Sequence, residues 1–245
     1  MTDDPVPRET PPVPDLARGV FAARTDLAAR FAQMLATDGV TRGLIGPREG
    51  ARLWERHLLN CAVLTSLLVE GVDVCDVGSG AGLPGVVLAI RRPDLRVTLV
   101  EPLLRRTAFL SEAVERLGLT NVEVVRARAE ELQGHREFSA VTSRAVAPLP
   151  LLLAWSMPLV RQGGALLAMK GSSAADEVAA AREALARWGA GVVDVLTVGA
   201  DTISPPTTVI RVEATHPSRL GWDSGPTGAA PPEGGVRRTR RKGRR

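Results

Sequence analysis

The sequence predicts an α/β fold: a doubly wound, seven-stranded, mostly parallel sheet preceded by an N-terminal helical cap. Three observations lead there. From residue 73 onward, short runs dense in Val, Leu and Ile alternate with longer helical stretches, the pattern of parallel strands joined by crossover helices. The run DVGSGAGLPG (76–85) sets a glycine turn between the first of those strands and the helix after it. The last two apolar runs have little but DTISPPT (201–207) between them, too short for a crossover, so they form an antiparallel hairpin at the sheet edge with one reversed strand.

The elements follow in order. Residues 1–14 are Pro-rich with mixed charge and read as a disordered head. The cap spans 15–70. In it DLARGVFAARTDLAARFAQMLATDG (15–39) has apolar residues three and four apart, with Gly39 as a stop. RGLIGPREG (42–50) reads as a loop and ARLWERHLLNCAVLTSLL (51–68) as a second helix. The sheet domain, 71–215, begins with the buried strand DVCDVG (73–78), followed by a helix over 83–90 with Pro84 at an early position that needs no N–H. Strands follow at 97–102, 121–127, 138–146 and 163–171, with helices at 103–118, 150–160 and 174–189. The hairpin strands are 192–198 and 207–214, and 216–245, rich in Pro and Gly, read as a disordered basic tail.

Composition bounds the function. The chain has 245 residues, 44% of them hydrophobic, enough for one sizeable core. No window reaches the roughly 18 apolar residues of a membrane span, and the N-terminus lacks the apolar core of a secretory signal. Cys61 and Cys75, the two cysteines, fall in a helix-like and a strand-like stretch and read as small buried residues in a reducing compartment. Three histidines give little scope for a metal site. The expected location is the cytoplasm. Net charge is +4, but the last ten residues, VRRTRRKGRR, hold seven basic groups; removing them leaves residues 1–235 at −3. Affinity for a polyanion would then rest on the tail and a local basic patch.

The glycine loop can be parsed as G-x-G-x-x-G, the spacing that cradles a dinucleotide pyrophosphate, or as D-x-G-x-G-x-G. Asp76 favours the second. A carboxylate at the mouth of the loop repels a pyrophosphate but suits a ligand with an ammonium and a sulfonium cation, as in S-adenosylmethionine (SAM). Glu101, at the end of the second strand, can accept both ribose hydroxyls of either cofactor type. Glu130, in RARAEEL past the third strand, stands where the adenine edge of SAM commonly lies, although a helix-start carboxylate explains it too. Among the absences, no tyrosine exists for an Asp/Asn-Pro-Pro-Tyr amine site, neither cysteine ends a later strand, and no His–carboxylate pair follows the fourth strand. An acceptor that needs no deprotonation, such as guanine N7, fits these absences.

DVGSGAGLPG, RHLLN (56–60), SRAVAPL (143–149) and AMKG (168–171), in that order, resemble the bacterial small-subunit ribosomal RNA methyltransferase G family over about 15–214. The resemblance implies a Rossmann-like, class I SAM-dependent methyltransferase acting on guanine N7 of 16S rRNA. It implies cofactor contacts at Gly78, Leu83, Ala129, Glu130 and Arg144, with Glu101 matching the expected ribose acceptor; Asp76, Gly80 and Gly82 join them as candidates from the reading of the loop itself. Arg144 would hold the SAM carboxylate or orient the guanine through its planar donor fork. His57, Lys170, Arg105 and Arg106 are candidate RNA contacts, with helix packing or plain surface exposure as the other readings. RGLIGPREG stands where many family members carry an Asn-Leu-Thr segment. The expected substrate is 16S rRNA or the small subunit, with the enzyme a monomer; the alternatives are a small-molecule methyltransferase, a SAM-binding module without catalysis, or a Rossmann-type NAD-binding protein.

Overall fold

The structure, a computed structural model, describes residues 12–215; the basic tail and most of the Pro-rich head lie outside the described residues. Seven strands form one sheet: β1 (Asp73–Val77), β2 (Arg96–Val100), β3 (Val122–Val125), β4 (Phe138–Arg144), β5 (Val160–Lys170), β6 (Ala190–Val198) and β7 (Thr207–Ala214). Their order is β3-β2-β1-β4-β5-β7-β6. β1 to β5 run parallel, whereas β7 pairs antiparallel with both β5 and β6. The reversed strand is therefore not the outermost one, because the hairpin tucks β7 inside and leaves β6 at the edge. β1 and β2 are buried along nearly their whole length, as strands covered on both faces must be.

The cap consists of α1 (Asp15–Phe21) and α2 (Thr25–Met34), then a wider π turn over Leu35–Gly39. A 3-10 turn over Pro47–Arg52 starts the second run, which continues as a π-helical stretch, Leu53–Leu59, the single turn α3 (Asn60–Ala62) and a 3-10 end, Val63–Leu67. Part of the expected 42–50 loop is thus helical. α4 (Gly85–Arg91) follows β1, and it starts at Gly85 rather than Leu83; the Leu83–Pro84 bond is cis and belongs to the turn. α5 (Leu104–Leu117) closes at Gly118 in the left-handed region. α6 (Leu149–Ser156) ends ahead of Pro158, which supplies no N–H to continue it. The Ala-rich stretch expected as one helix is two, α7 (Ala174–Ala180) and α8 (Arg182–Arg187), interrupted at Ala181.

Two apolar cores sandwich the sheet. One joins Phe31, Leu35, Leu58 and Leu64 of the cap to Leu88, Ile90, Leu99 and Phe109, so cap, α4 and α5 share a single interior. The other packs α6 to α8 against Val141, Leu166 and Ile210 on the opposite face. Polar ties reinforce the cap: Arg42 makes a two-pronged contact with Glu112 on α5 (3.0 and 2.6 Å), and Asn60 donates to Thr207 on β7 at 2.8 Å.

Candidate active site

Strand order reverses between β1 and β4, and a ligand crevice is expected beyond the carboxyl ends of the strands there. A cleft of about 710 Å³ lies there. Its walls come from four consecutive strand ends, at 77–81 with Leu83, 100–103, 127–130 and 144–146, and from the cap at Leu44, Ile45, Gly46, Glu49 and His57.

The glycine loop has few amides to offer a phosphate. The N–H groups of Gly78 and Ser79 donate to the Val100 carbonyl (2.9 and 3.2 Å), and those of Gly82 and Leu83 donate to the Ser79 carbonyl (2.7 and 3.3 Å). Gly80 donates to Glu101 Oε2 and Gly85 to Asp76 Oδ2, both at 3.0 Å. A pyrophosphate cradle depends on open N–H groups. This loop spends its own on holding its shape. Gly78, at φ +72, is needed on two counts: the backbone is left-handed, and a Cβ there would lie 2.9 Å from Val146 Cγ2 across the cleft floor.

Asp76 is placed differently from the expectation. Its carboxylate is fully buried, lies off the cleft wall and anchors Gly85 from beneath the loop; Oδ1 has no hydrogen-bond partner. Burial pushes its pKa up to about 7, against the pull of the Gly85 N–H. The side chain leaves the mouth because β1 residues alternate faces and position 76 points under α4. Gly82 also lies off the wall, packed against Val86 and Phe31.

Glu101 is 1% exposed and does reach the cleft. Gly80 N–H binds Oε2, Leu103 N–H binds Oε1 at 3.0 Å, and Arg106 Nη1 stands 3.6 Å away. Each oxygen keeps a lone pair for a ligand hydroxyl. Ala129 and Glu130, on the 3-10 turn Ala129–Leu132, form the next wall, with Ala127 and Trp155 as apolar neighbours. Lys170 is not on this cleft. It is nearly buried, donating to the Ala147 carbonyl (2.8 Å) and to Glu177 (2.7 Å), and it lines a second hollow beside Arg144. Arg105 is exposed on α5 outside both hollows, while its neighbour Arg106 faces the cleft.

Arg144 ends β4 on the cap side of the sheet, in phase with Ala140 of the cap-side core. Nη2 contacts His57 Nδ1 at 2.6 Å and donates to the Arg56 carbonyl at 3.3 Å; Nη1 donates to Cys61 Sγ at 3.2 Å. His57 Nε2 meets Glu49 Oε2 at 2.8 Å. An arginine can only donate, so Nδ1 accepts and the proton of a neutral His57 sits on Nε2, given to Glu49. Burial, then the Arg144 charge, pushes the His57 pKa below its ordinary value. Burial works to raise the Glu49 pKa, but the His57 hydrogen bond and the Arg56 charge outweigh it and leave the pKa lowered. His57 therefore joins the cofactor-side cleft to Arg144, and Glu49, in a segment read as loop, is a member of the site that sequence reading missed. No motif marks it, because its partner lies one helical segment away.

The sheet order and the cleft at its switch point define a Rossmann-like class I SAM-dependent methyltransferase fold. The family model described as rRNA small subunit methyltransferase G matches residues 24–203. A ribosomal RNA small subunit methyltransferase G from Nocardioides sp. is 62% identical over 239 residues, 97% of this chain and 94% of its own. One from Thermobifida fusca is 52% identical over 242 residues, 99% of this chain and 100% of its own. Among solved structures, the cyclase SpnF aligns with a TM-score of 0.50 at 14% identity, over 64% of this chain and 80% of that one, a likeness of fold alone. This chain belongs to the rRNA small subunit methyltransferase G family and is a methyltransferase.

Proposed function

We propose that the protein methylates N7 of one guanine in 16S rRNA with SAM as donor, as a cytoplasmic monomer. No helix among the described residues is long and apolar enough to cross a membrane. The residues of the cleft fit SAM. Glu101 has lone pairs for two ribose hydroxyls, Gly78 and Gly80 leave the floor without side chains, Leu83 lines the loop side of the cleft, and Ala129 and Glu130 would hold the adenine. Asp76 acts through the loop, which it holds from below. When bound, SAM supplies a methyl group on a sulfonium, whose C–S bond breaks as the acceptor's lone pair forms the new bond.

The observation that carries the N7 reading is the state of His57. It is the one imidazole on the cleft wall among the described residues, and both its nitrogens are engaged, one by Arg144 and one by Glu49. It has no open lone pair with which to take a proton. Guanine N7 carries its own lone pair and no proton, so the protein's task is to hold it in line. A guanidinium has five N–H donors. Arg144 spends three on the cap and keeps two, Nε–H and one on Nη1, on separate edges of the guanidinium, so one of them is left to donate to the acceptor purine's O6.

The test is to map N7-methylguanine in 16S rRNA from cells lacking this gene. One site should be lost and restored by the wild-type gene; an unchanged methylation map would refute the proposal.

A further inference from the structure

The contacts around Arg144 run in one direction: Arg144 donates to His57 Nδ1, and His57 Nε2 donates to Glu49 Oε2. We propose that Glu49 is a positioning residue for methyl transfer, acting through His57 to fix the guanidinium of Arg144 at the β4 end. The inference rests on the reading of Arg144 as the group that orients the acceptor.

The physical case is one of tautomers. A neutral imidazole carries its proton on one nitrogen only, and the hydrogen bond made at the other decides which. Arg144 requires an unprotonated Nδ1. Glu49, an acceptor only, requires a protonated Nε2. The two demands agree, so the ring has one orientation and one tautomer. His57 is 8% exposed, which leaves water little access to substitute for a missing partner. Around the ring stand Glu49 and Arg56 from the cap and Arg144 from the sheet. The Cys61 thiol and the Arg56 carbonyl hold the rest of the fork. Without Glu49 the proton is free to move to Nδ1, which then faces Arg144 donor to donor and expels it. Glu49 also sits on the segment that walls the cleft together with Leu44 and Ile45. The same segment therefore closes the cleft and sets the fork, and the guanidinium is aligned only while the segment is seated.

Five proteins test this: wild type, Glu49→Ala, Glu49→Gln, Arg144→Ala and the double variant Glu49→Ala/Arg144→Ala. Three quantities are measured on each: turnover on small ribosomal subunits at saturating SAM, SAM affinity by calorimetry, and Tm. Glu49→Ala is expected to lose turnover by about tenfold or more. Its SAM affinity should stay within about threefold of wild type, because residue 49 contacts the cofactor cleft only at its cap side. Glu49→Gln still accepts from Nε2–H and should recover most of the loss. The double variant should be no slower than Arg144→Ala alone, since residues acting as one unit are non-additive. A merely structural role would lower Tm and make the two losses multiply. Multiplying losses, or a Glu49→Ala enzyme at wild-type turnover, would overturn the inference while leaving Arg144 in place. Arg144→Ala at near-normal turnover would overturn both readings.

Discussion

Arg144 meets the cleft with a fork that the cap holds on its far side, so its replacement tests alignment more than folding. Arg144→Ala removes contacts to His57, Cys61 and the Arg56 carbonyl but leaves both apolar cores intact. Turnover should fall by about a hundredfold, the cost of a misaligned acceptor, with near-native circular dichroism. Near-normal turnover would place Arg144 among bystanders. The His57 ring adds a pH dependence. Its pKa is depressed below the ordinary 6.5, so the folded protein stays neutral there where an unfolded chain takes up a proton. Stability from this group is complete above 6.5 and falls as pH drops from that value toward the depressed one. Protonation of the folded ring also turns Nδ1 into a donor and ejects Arg144, so turnover should fall on the acid side as pH drops through that depressed pKa. A pH profile that stays flat through it would contradict the assigned tautomer.

At the scale of the element, the turn between β1 and α4 is held by close packing. A Cβ on Gly85 would lie 2.7 Å from Asp76 Oδ2 and overlap Leu99. Gly85→Ala should destabilise the fold by about 1–3 kcal/mol, read by denaturant titration, as over-packed cores do. An unchanged midpoint would show that Asp76 and Leu99 can yield. This turn also shows what was readable in advance. Its glycines, Glu101 at the β2 end and Glu130 past β3 follow from strand ends, and strand ends follow from local patterning. The direction in which Asp76 points did not, because one residue's shift in phase separates the cleft wall from the underside of α4. The Ala-rich helix breaks at Ala181 without a Gly or Pro to announce it, and Leu83 and Pro84 belong to a turn that composition reads equally well as a helix start.

For the whole molecule, charge and core divide the work. Residues 1–235 carry −3 and the final ten carry seven positive charges, so affinity for RNA should depend strongly on the tail. Deleting residues 236–245 should weaken rRNA binding and reduce the log–log salt slope by up to about 5, at roughly 0.7 per neutralised phosphate on single strands. Turnover at saturating substrate should change little, and an unaltered slope would remove the tail from the interface. The cap is the other whole-molecule feature. A boundary between cap and sheet domain is visible in the switch of period near residue 70, yet Phe31 and Leu58 share one interior with Leu99 and Phe109. The two regions therefore fold as one body on that face of the sheet.

The sequence by itself determined the succession of elements, the cofactor class and the family, since these depend on local periodicity and on motifs a few residues long. The tertiary structure decided which groups meet. It closed the loop's amides on Val100, Glu101 and Asp76, turned Lys170 onto Glu177, and brought Glu49 and His57 to Arg144. His57 and Arg144 lie 87 residues apart in the chain. Contacts of that span are set by how the cap packs on the sheet, and packing depends on the shape of the whole core rather than on any local run of residues.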